Sequence, residues 1–343
     1  PPCQAYSNMG KARMGRERAS KDPRTELYRH YLRILAIHRP NFFIFENVRG
    51  ISSSTKKGKN IFKKICRDLR NPCRAFRRMD FEQTPNYDLF AFASHDGQIR
   101  IESLTDHKVF LIECEKFSIP QKRHRIIIFG IHSDHSGTCP NSLREGPEVR
   151  VADVLSGLPK LRSGLSKGDS EEKWRQVICD AIEMFRADRV RLSHSISKVR
   201  DIENVKVPVN KRGSEFVRYN CRSSHKPDWY LDGNLHGALN HCTRGHLPMD
   251  LYRYLYYANH AYLKKVSPKL SNIPEFLLPK HKNAKSGDFD DRFRVQLKHK
   301  ASTTVTCHIS KDGHSFIHPD PTQCRSLTVR EAARLQTFPD NYF

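Results

Sequence analysis

Helical patterns and buried strands alternate over residues 1–132, and this alternation constrains the fold more than any other feature of the sequence. Asp22-Pro23-Arg24 predicts the start of a helix, because Asp is a favoured N-cap residue and Pro fits the first turn. Pro40 ends that helix, and the apolar run at residues 42–45 then predicts a buried, parallel strand. Helices that alternate with such strands predict an α/β sheet with helices on its faces.

Weaker patterns complete the outline of the chain. A further helix is expected at residues 60–69, and strands are expected at residues 109–114 and 126–131. Residues 133–324 are rich in Lys, Arg, His, Asn and Ser, with helices expected at 172–185 and 250–264, and they predict a second domain inserted within the first. Thr328 and Glu331 have the spacing of a capping box, which predicts a last helix at residues 329–336. The polar stretch at residues 80–106 predicts an added loop or hairpin near the sheet.

The charge of the chain favours a polyanionic partner. The sequence has 60 Lys and Arg residues against 37 Asp and Glu residues, a formal net charge of +23 that is spread along its length. Nucleic acid is therefore favoured over a merely well-solvated basic surface. No apolar run is long enough to span a bilayer, and the ten cysteines include no CxxC, which predicts free thiols in a reducing, cytoplasmic compartment and no metal centre.

Two short strings could carry chemistry. Pro1 and Pro2 have fixed φ and would hold the thiol of Cys3 at a defined angle, although a lone cysteine is more often a small buried side chain than a nucleophile. Glu46 and Asn47 follow the predicted strand directly, at the kind of sheet edge where ligands bind. The competing interpretation of Glu46 is a helix N-cap or a surface acid.

The third string precedes the strand predicted at residues 126–131. In an extended segment, Arg123 and Arg125 point to one face, while Lys122 and His124 point to the other. Two guanidinium groups on one face suit phosphates or a base carbonyl. The alternative is a basic strand edge that prevents aggregation.

Together these strings identify a family. PPCQ, ENV, QxRxR and RSLTVREAARLQTFPDNY occur in this order, with DPRTEL after the first. They resemble motifs IV, VI, VIII and IX of the DNA cytosine-5 methyltransferases, and DPRTEL resembles motif V. The resemblance implies an incomplete Rossmann-like S-adenosylmethionine-dependent methyltransferase sheet. It assigns residues 1–132 and 325–343 to the catalytic domain and residues 133–324 to an inserted target-recognition domain.

The resemblance also implies a mechanism and its residues. Members flip cytosine out of the duplex, and a cysteine thiolate then adds to carbon 6. Cys3 would be that nucleophile, and Glu46 would contact or protonate ring nitrogen 3. Arg125 would reach the base carbonyl, Arg123 would help to place the base, and Asn47 would fix the loop around the nucleophile.

Contacts to DNA are implied as well. Residues 7–22 resemble the mobile catalytic loop of the family. The expected DNA contacts are Ser7, Arg13, Arg16 and Arg18 in this loop, together with Gln121.

The cofactor implied is S-adenosylmethionine, with Leu27 as its one carried-over contact. The FxGxG cofactor motif and the GNxV motif of the family do not occur in the sequence, and no GxG occurs anywhere in it. The chain is therefore expected to be truncated at both ends and to bind the cofactor poorly by itself.

The function implied is that of a monomeric, prokaryotic DNA (cytosine-5-)-methyltransferase of a restriction-modification or related system. Two alternatives stay open, which are an inactive DNA-binding fragment of the same fold and an RNA cytosine methyltransferase. The size of the 133–324 segment favours duplex DNA, because reading a groove needs a large recognition surface.

Overall fold

The computed structural model describes Tyr6 and residues 22–56, 59–76, 80–95, 98–100, 107–187, 212–280 and 290–342. The chain divides into two compact units. Unit 1 comprises residues 1–117 and 123–146, and unit 2 comprises residues 118–122 and 147–343. In the described ranges, no helix is both long and apolar enough to cross a membrane.

In its described residues, unit 1 has two α-helices and a set of antiparallel strands. The helices are α1 (Tyr28–His38) and α2 (Ile61–Arg70). The strands are β1 (Phe42–Val48), β2 (Thr55–Lys56), β3 (Lys59–Asn60), β4 (Tyr87–His95), β5 (Gln98–Arg100), β6 (Leu111–Glu113) and β8 (His124–His132). The α/β class predicted from the sequence is confirmed.

Helix α1 begins later than the sequence predicts. Asp22 accepts a hydrogen bond from the Arg24 N–H, but the turn that it caps is a 3₁₀ helix, Pro23–Glu26, and α1 follows it. At the other end, Arg39 adopts a left-handed conformation and its N–H bonds to the Leu35 carbonyl. This αL cap closes the helix one residue before Pro40.

Strand β1 differs from its prediction as a parallel strand. It pairs antiparallel with β8, and its side chains alternate between buried and exposed. Phe45 is completely buried, whereas Ile44 beside it is 57% exposed. An apolar run does not by itself distinguish a strand covered on two faces from one covered on a single face, so the sequence could not decide this point.

The buried side of β1 belongs to the core of unit 1. Leu32 of α1, Ile65 of α2, Phe45 of β1 and Ile128 of β8 are completely buried in one apolar cluster. Each side chain of this size contributes about 1.5–3 kcal/mol when it is fully removed from water. The cluster therefore fixes β1 and β8, which carry the candidate site.

The predicted addition at residues 80–106 contains a hairpin. Strands β4 and β5 pair antiparallel, and β4 also pairs with β8, on the side away from β1. Leu89 and Ala91 of β4 are buried in the unit 1 core. The added segment therefore forms part of the sheet.

Unit 2 contains the remaining elements. Its helices are α3 (Val151–Leu155), α4 (Glu171–Ala187), α5 (Pro227–Tyr230), α6 (Pro248–Lys264) and α7 (Val329–Leu335). Its strands are β7 (Gln121–Lys122), β9 (Gly164–Leu165), β10 (Gly213–Arg218), β11 (Gly237–Cys242), β12 (Gly245–His246) and β13 (Ser302–Thr303). The helices expected at residues 172–185, 250–264 and 329–336 are confirmed as α4, α6 and α7. The assignment of residues 133–324 to target recognition stays a prediction.

The capping box predicted for α7 is present. The Thr328 side chain accepts a hydrogen bond from the Glu331 N–H, and the Glu331 carboxylate accepts one from the Thr328 N–H. Glu331 also receives two hydrogen bonds of 2.7 Å from Arg325, and both side chains are almost completely buried. Arg334 and Asp340 form a second buried pair, with Nη2 2.5 Å from Oδ2. Residues 325–340 thus contain two ion pairs that are buried in unit 2.

Candidate active site

Glu46 and Arg125 form the centre of the candidate site. Val48, at the end of β1, lies opposite Arg125, near the start of β8. Glu46 lies two residues before Val48, on the same side of the strand. Arg125 Nε is 2.9 Å from Glu46 Oε1, and Arg125 Nη1 donates to the His124 carbonyl at 2.8 Å. The Glu46 side chain is 53% exposed, whereas the Arg125 side chain is 16% exposed. The carboxylate is therefore accessible to solvent, while the guanidinium that binds it is largely buried.

Asn47 lies on the opposite side of β1 from Glu46. It is completely buried, and its Oδ1 accepts a hydrogen bond from the Val48 N–H at 2.9 Å. This hydrogen bond helps to fix the backbone at the end of β1. Its predicted role near the nucleophile stays a prediction.

The charges of Arg123 and Arg125, the two arginines of the QxRxR string, both affect the pKa of Cys114. Burial and the neighbouring carboxylate of Glu115 raise the pKa of Cys114, and the positive charges of Arg123 and Arg125 partly oppose that shift. Arg123, which is partly buried, therefore lies within electrostatic reach of the same side chain as Arg125. The two arginines therefore place positive charge at this end of β8, next to the carboxylates of Glu46 and Glu115.

Gln121 has an internal role in unit 2. Its side chain is 2% exposed, donates to the Leu335 carbonyl at 3.0 Å and accepts from the Val305 N–H at 2.9 Å. The amide thus joins the end of α7 to the segment after β13. Its contact with DNA stays a prediction.

The other predicted residues are distributed as follows. Leu27 is half-buried immediately before α1, and its contact with the cofactor stays a prediction. The predicted nucleophile and the predicted loop contacts lie outside the described residues: Cys3, Ser7, Arg13, Arg16 and Arg18.

One group beside the site was missed by the sequence analysis. His124 Nε2 lies 2.8 Å from Glu115 Oε1, and Nδ1 lies 3.9 Å from Glu113 Oε1. The only sequence signal was the predicted alternation, which places His124 on the opposite face from Arg125. The acids come from β6 and the turn after it, and only the pairing of β6 with β8 brings them close.

His241 and helix α6 both belong to the buried part of unit 2. His241 is completely buried, with Nδ1 3.0 Å from the Thr328 hydroxyl and Nε2 2.8 Å from the Pro159 carbonyl. Helix α6 is buried along much of its length. Both observations indicate that His241 and helix α6 contribute to the packing of unit 2.

The cysteines of the described ranges are free thiols, as the sequence predicted.

The described site thus consists of an acid and two arginines at one end of the β1–β8 pair of an α/β sheet. The model of the C-5 cytosine-specific DNA methylase family matches residues 1–72 and 106–343. The chain belongs to this family. The unmatched residues 73–105 agree with the prediction of an added segment.

Three relatives illustrate the similarity. The chain is 30% identical to the type II methyltransferase M.Bpa9945I of Bacillus paralicheniformis, over the whole chain and 62% of the relative. It is 24% identical to the type II methyltransferase M.AgeI of Thalassovita gelatinovora, over the whole chain and 74% of the relative. It is 28% identical to the DNA (cytosine-5-)-methyltransferase M.ApeKI of Aeropyrum pernix, over 46% of the chain and 31% of the relative. The chain thus spans less than two thirds of the length of the Bacillus relative.

Proposed function

We propose that the protein transfers a methyl group to carbon 5 of cytosine in duplex DNA through a covalent adduct with Cys3. The observation that supports this most is the Glu46–Arg125 pair, with Nε and Oε1 2.9 Å apart. Glu46 and Arg125 lie far apart in the sequence but close in space, in a chain that belongs to the family. An acid beside an arginine is a combination that the proposed chemistry would use.

The chemistry begins at the thiol of Cys3. As the thiolate, its sulfur forms a bond to carbon 6 of the flipped cytosine. The electron pair of the 5,6 double bond then shifts to the bond between carbons 4 and 5 while negative charge develops on ring nitrogen 3, and carbon 5 becomes nucleophilic. Carbon 5 then takes the methyl group. Loss of the proton on carbon 5 returns the electron pair to the 5,6 bond and expels the sulfur.

Glu46 and Arg125 stabilise the charge that this addition creates. Glu46 contacts or protonates ring nitrogen 3, and Arg125 binds the base carbonyl while its Nε keeps the carboxylate in place. A charge that develops between groups already fixed in position requires little reorganisation, which is the usual source of rate enhancement at such sites. Arg123 helps to place the base.

S-adenosylmethionine supplies the methyl group when it is bound. Among the described residues, the predicted contact is Leu27, half-buried at the start of α1. The cofactor assignment therefore rests on the family.

Duplex DNA is the proposed substrate, and a type II restriction-modification system is the proposed context. The net charge of +23 provides for phosphate contacts, and two of the relatives named above are type II methyltransferases. An RNA substrate would need less recognition surface than residues 133–324 provide.

The test is trapping of the covalent intermediate with duplex DNA that contains 5-fluorocytosine, in which fluorine replaces the proton that must leave. The whole protein is expected to form an adduct that survives denaturation, and Cys3→Ala is expected to form none. Cys139→Ala, which removes an exposed cysteine of unit 1, is the matched control and is expected to react like the unmodified protein. An adduct with Cys3→Ala would refute the proposed nucleophile, and the absence of any adduct would favour a non-catalytic DNA-binding role.

A further inference from the structure

His124 is held between acidic side chains behind the candidate site. Its Nε2 is 2.8 Å from Glu115 Oε1, and its Nδ1 is 3.9 Å from Glu113 Oε1. Glu113 is also bound to Lys116, with Oε2 and Nζ 2.8 Å apart. His124 and Glu113 are direct partners in the antiparallel pairing of β8 with β6.

The Glu115 carboxylate relies on the His124 ring for a hydrogen-bond donor. Its carboxylate is 18% exposed, and its second oxygen, Oε2, is buried without a hydrogen-bond partner in the described part of the chain. A carboxylate in such a place requires a donor. The His124 ring is that donor, and its position is fixed in return.

The fixed ring is connected to the candidate site through the backbone. The His124 carbonyl accepts the hydrogen bond from Arg125 Nη1 at 2.8 Å, and Nε of the same guanidinium lies 2.9 Å from Glu46. The guanidinium is therefore held at two points, and one of them is the backbone carbonyl of His124. Three contacts therefore link the two acids: Glu115 binds the His124 ring, the His124 carbonyl binds Arg125, and Arg125 binds Glu46.

We propose that His124, anchored by Glu115, is a positioning residue that fixes the Arg125 guanidinium against Glu46. The proposal rests on the proposed function, because it assigns a purpose to the orientation of Arg125. His124 acts through Arg125 and does not touch the base.

The same strand offers a matched control. His132, at the far end of β8, is also paired with an acid, since its Nδ1 lies 3.4 Å from Asp134 Oδ2, and its side chain is 15% exposed. Loss of either ring removes a histidine–carboxylate contact from β8. Only His124 is adjacent to Arg125.

The experiment compares His124→Ala, His124→Gln and His132→Ala in the whole protein. Single-turnover methylation of duplex DNA gives the rate, and the DNA dependence gives KM. We expect the rate to fall about 10- to 100-fold for His124→Ala, because a small misplacement of a catalytic group has effects of this size. KM should change less than about twofold, since substrate binding is shared among many contacts. The amide of His124→Gln should restore most of the rate by donating to Glu115, and His132→Ala should leave the rate nearly unchanged.

A second measurement does not depend on activity. In ¹⁵N NMR spectra, the Nε–H of a guanidinium held at two points exchanges slowly, and Arg125→Lys identifies its signal. The signal should be lost in His124→Ala and kept in His132→Ala. Equal rates for the two alanine variants, or a persistent Arg125 signal in His124→Ala, would overturn the positioning role. A whole protein that methylates nothing would refute the proposed function, while the NMR comparison would still decide the role of His124.

Discussion

Glu46 stands out at the scale of single residues because its ion pair contributes little to folding. Its carboxylate is 53% exposed, and pairs of this kind contribute about 0–1 kcal/mol to the stability of a protein. By contrast, Asn47 beside it is completely buried and bonded to the backbone. The two neighbours therefore separate into a residue available for chemistry and a residue that holds the strand end.

We predict that Glu46→Gln leaves the free energy of unfolding within about 0.5 kcal/mol of the original value but lowers turnover about 100-fold, as expected for loss of an acid that holds a proton in the transition state. Denaturant unfolding and single-turnover methylation measure the two effects, and fluorescence anisotropy checks that DNA binding is kept. Glu82→Gln, at an exposed glutamate of unit 1, serves as the control. Normal turnover by Glu46→Gln would remove the acid from the mechanism.

At the scale of the elements, the pairing of β1 with β8 depends on one glycine. Gly130 lies directly opposite Phe43, and a Cβ built on it would be 2.1 Å from the Phe43 ring. The ring occupies the space above the glycine, and Phe43 belongs to the unit 1 core. The register that places Glu46 near Arg125 therefore relies on the absence of a side chain at residue 130.

We predict that Gly130→Ala destabilises unit 1 by about 1–3 kcal/mol, the usual cost of overfilling a packed core. Urea unfolding followed by circular dichroism measures the change. Gly137→Ala is the matched control, because a Cβ at this position would meet nothing within 4 Å. Equal stability of the two variants would show that the Phe43 ring moves aside without cost.

How much the sequence could predict depends on whether a signal is local. The capping box at Thr328 and Glu331 lies within four residues, and it was found where it was predicted. The burial of Arg325 and Arg334 in the same segment was not predictable, because arginines are usually exposed and their buried partners are identified only by the tertiary structure. Likewise, alternation separated Arg125 from His124, but the acids that hold His124 come from another strand.

At the scale of the whole molecule, acid should affect unit 2 strongly. Burial lowers the pKa of His318 to about 4 and, together with nearby cations, that of His246 to about 3, while His241 is shifted in the same direction. In the unfolded chain, these groups titrate near 6.5. The unfolded state therefore binds more protons than the folded state between these values, and stability falls as the pH decreases from about 6.5 toward 4.

We predict that the denaturant midpoint of unit 2 drops steadily over this pH range. His318 alone should account for roughly 3 kcal/mol of the loss, because its pKa is so much lower in the folded state than in the unfolded chain. Glu331, 3.5 Å from His318, adds to the loss as the pH approaches 4. Against the effect of burial, Arg325 and His318 lower its pKa, so the folded state keeps it ionised while the unfolded chain begins to bind a proton. Fluorescence reports the transition of unit 2 specifically, since both tryptophans, Trp174 and Trp229, lie there.

Repulsion among the surplus positive charges would also grow in acid, but about 0.5 M salt screens exposed charges while buried histidines are unaffected. A pH dependence that disappears in salt would therefore contradict the histidine explanation, and one that persists and becomes shallower in His318→Gln would support it.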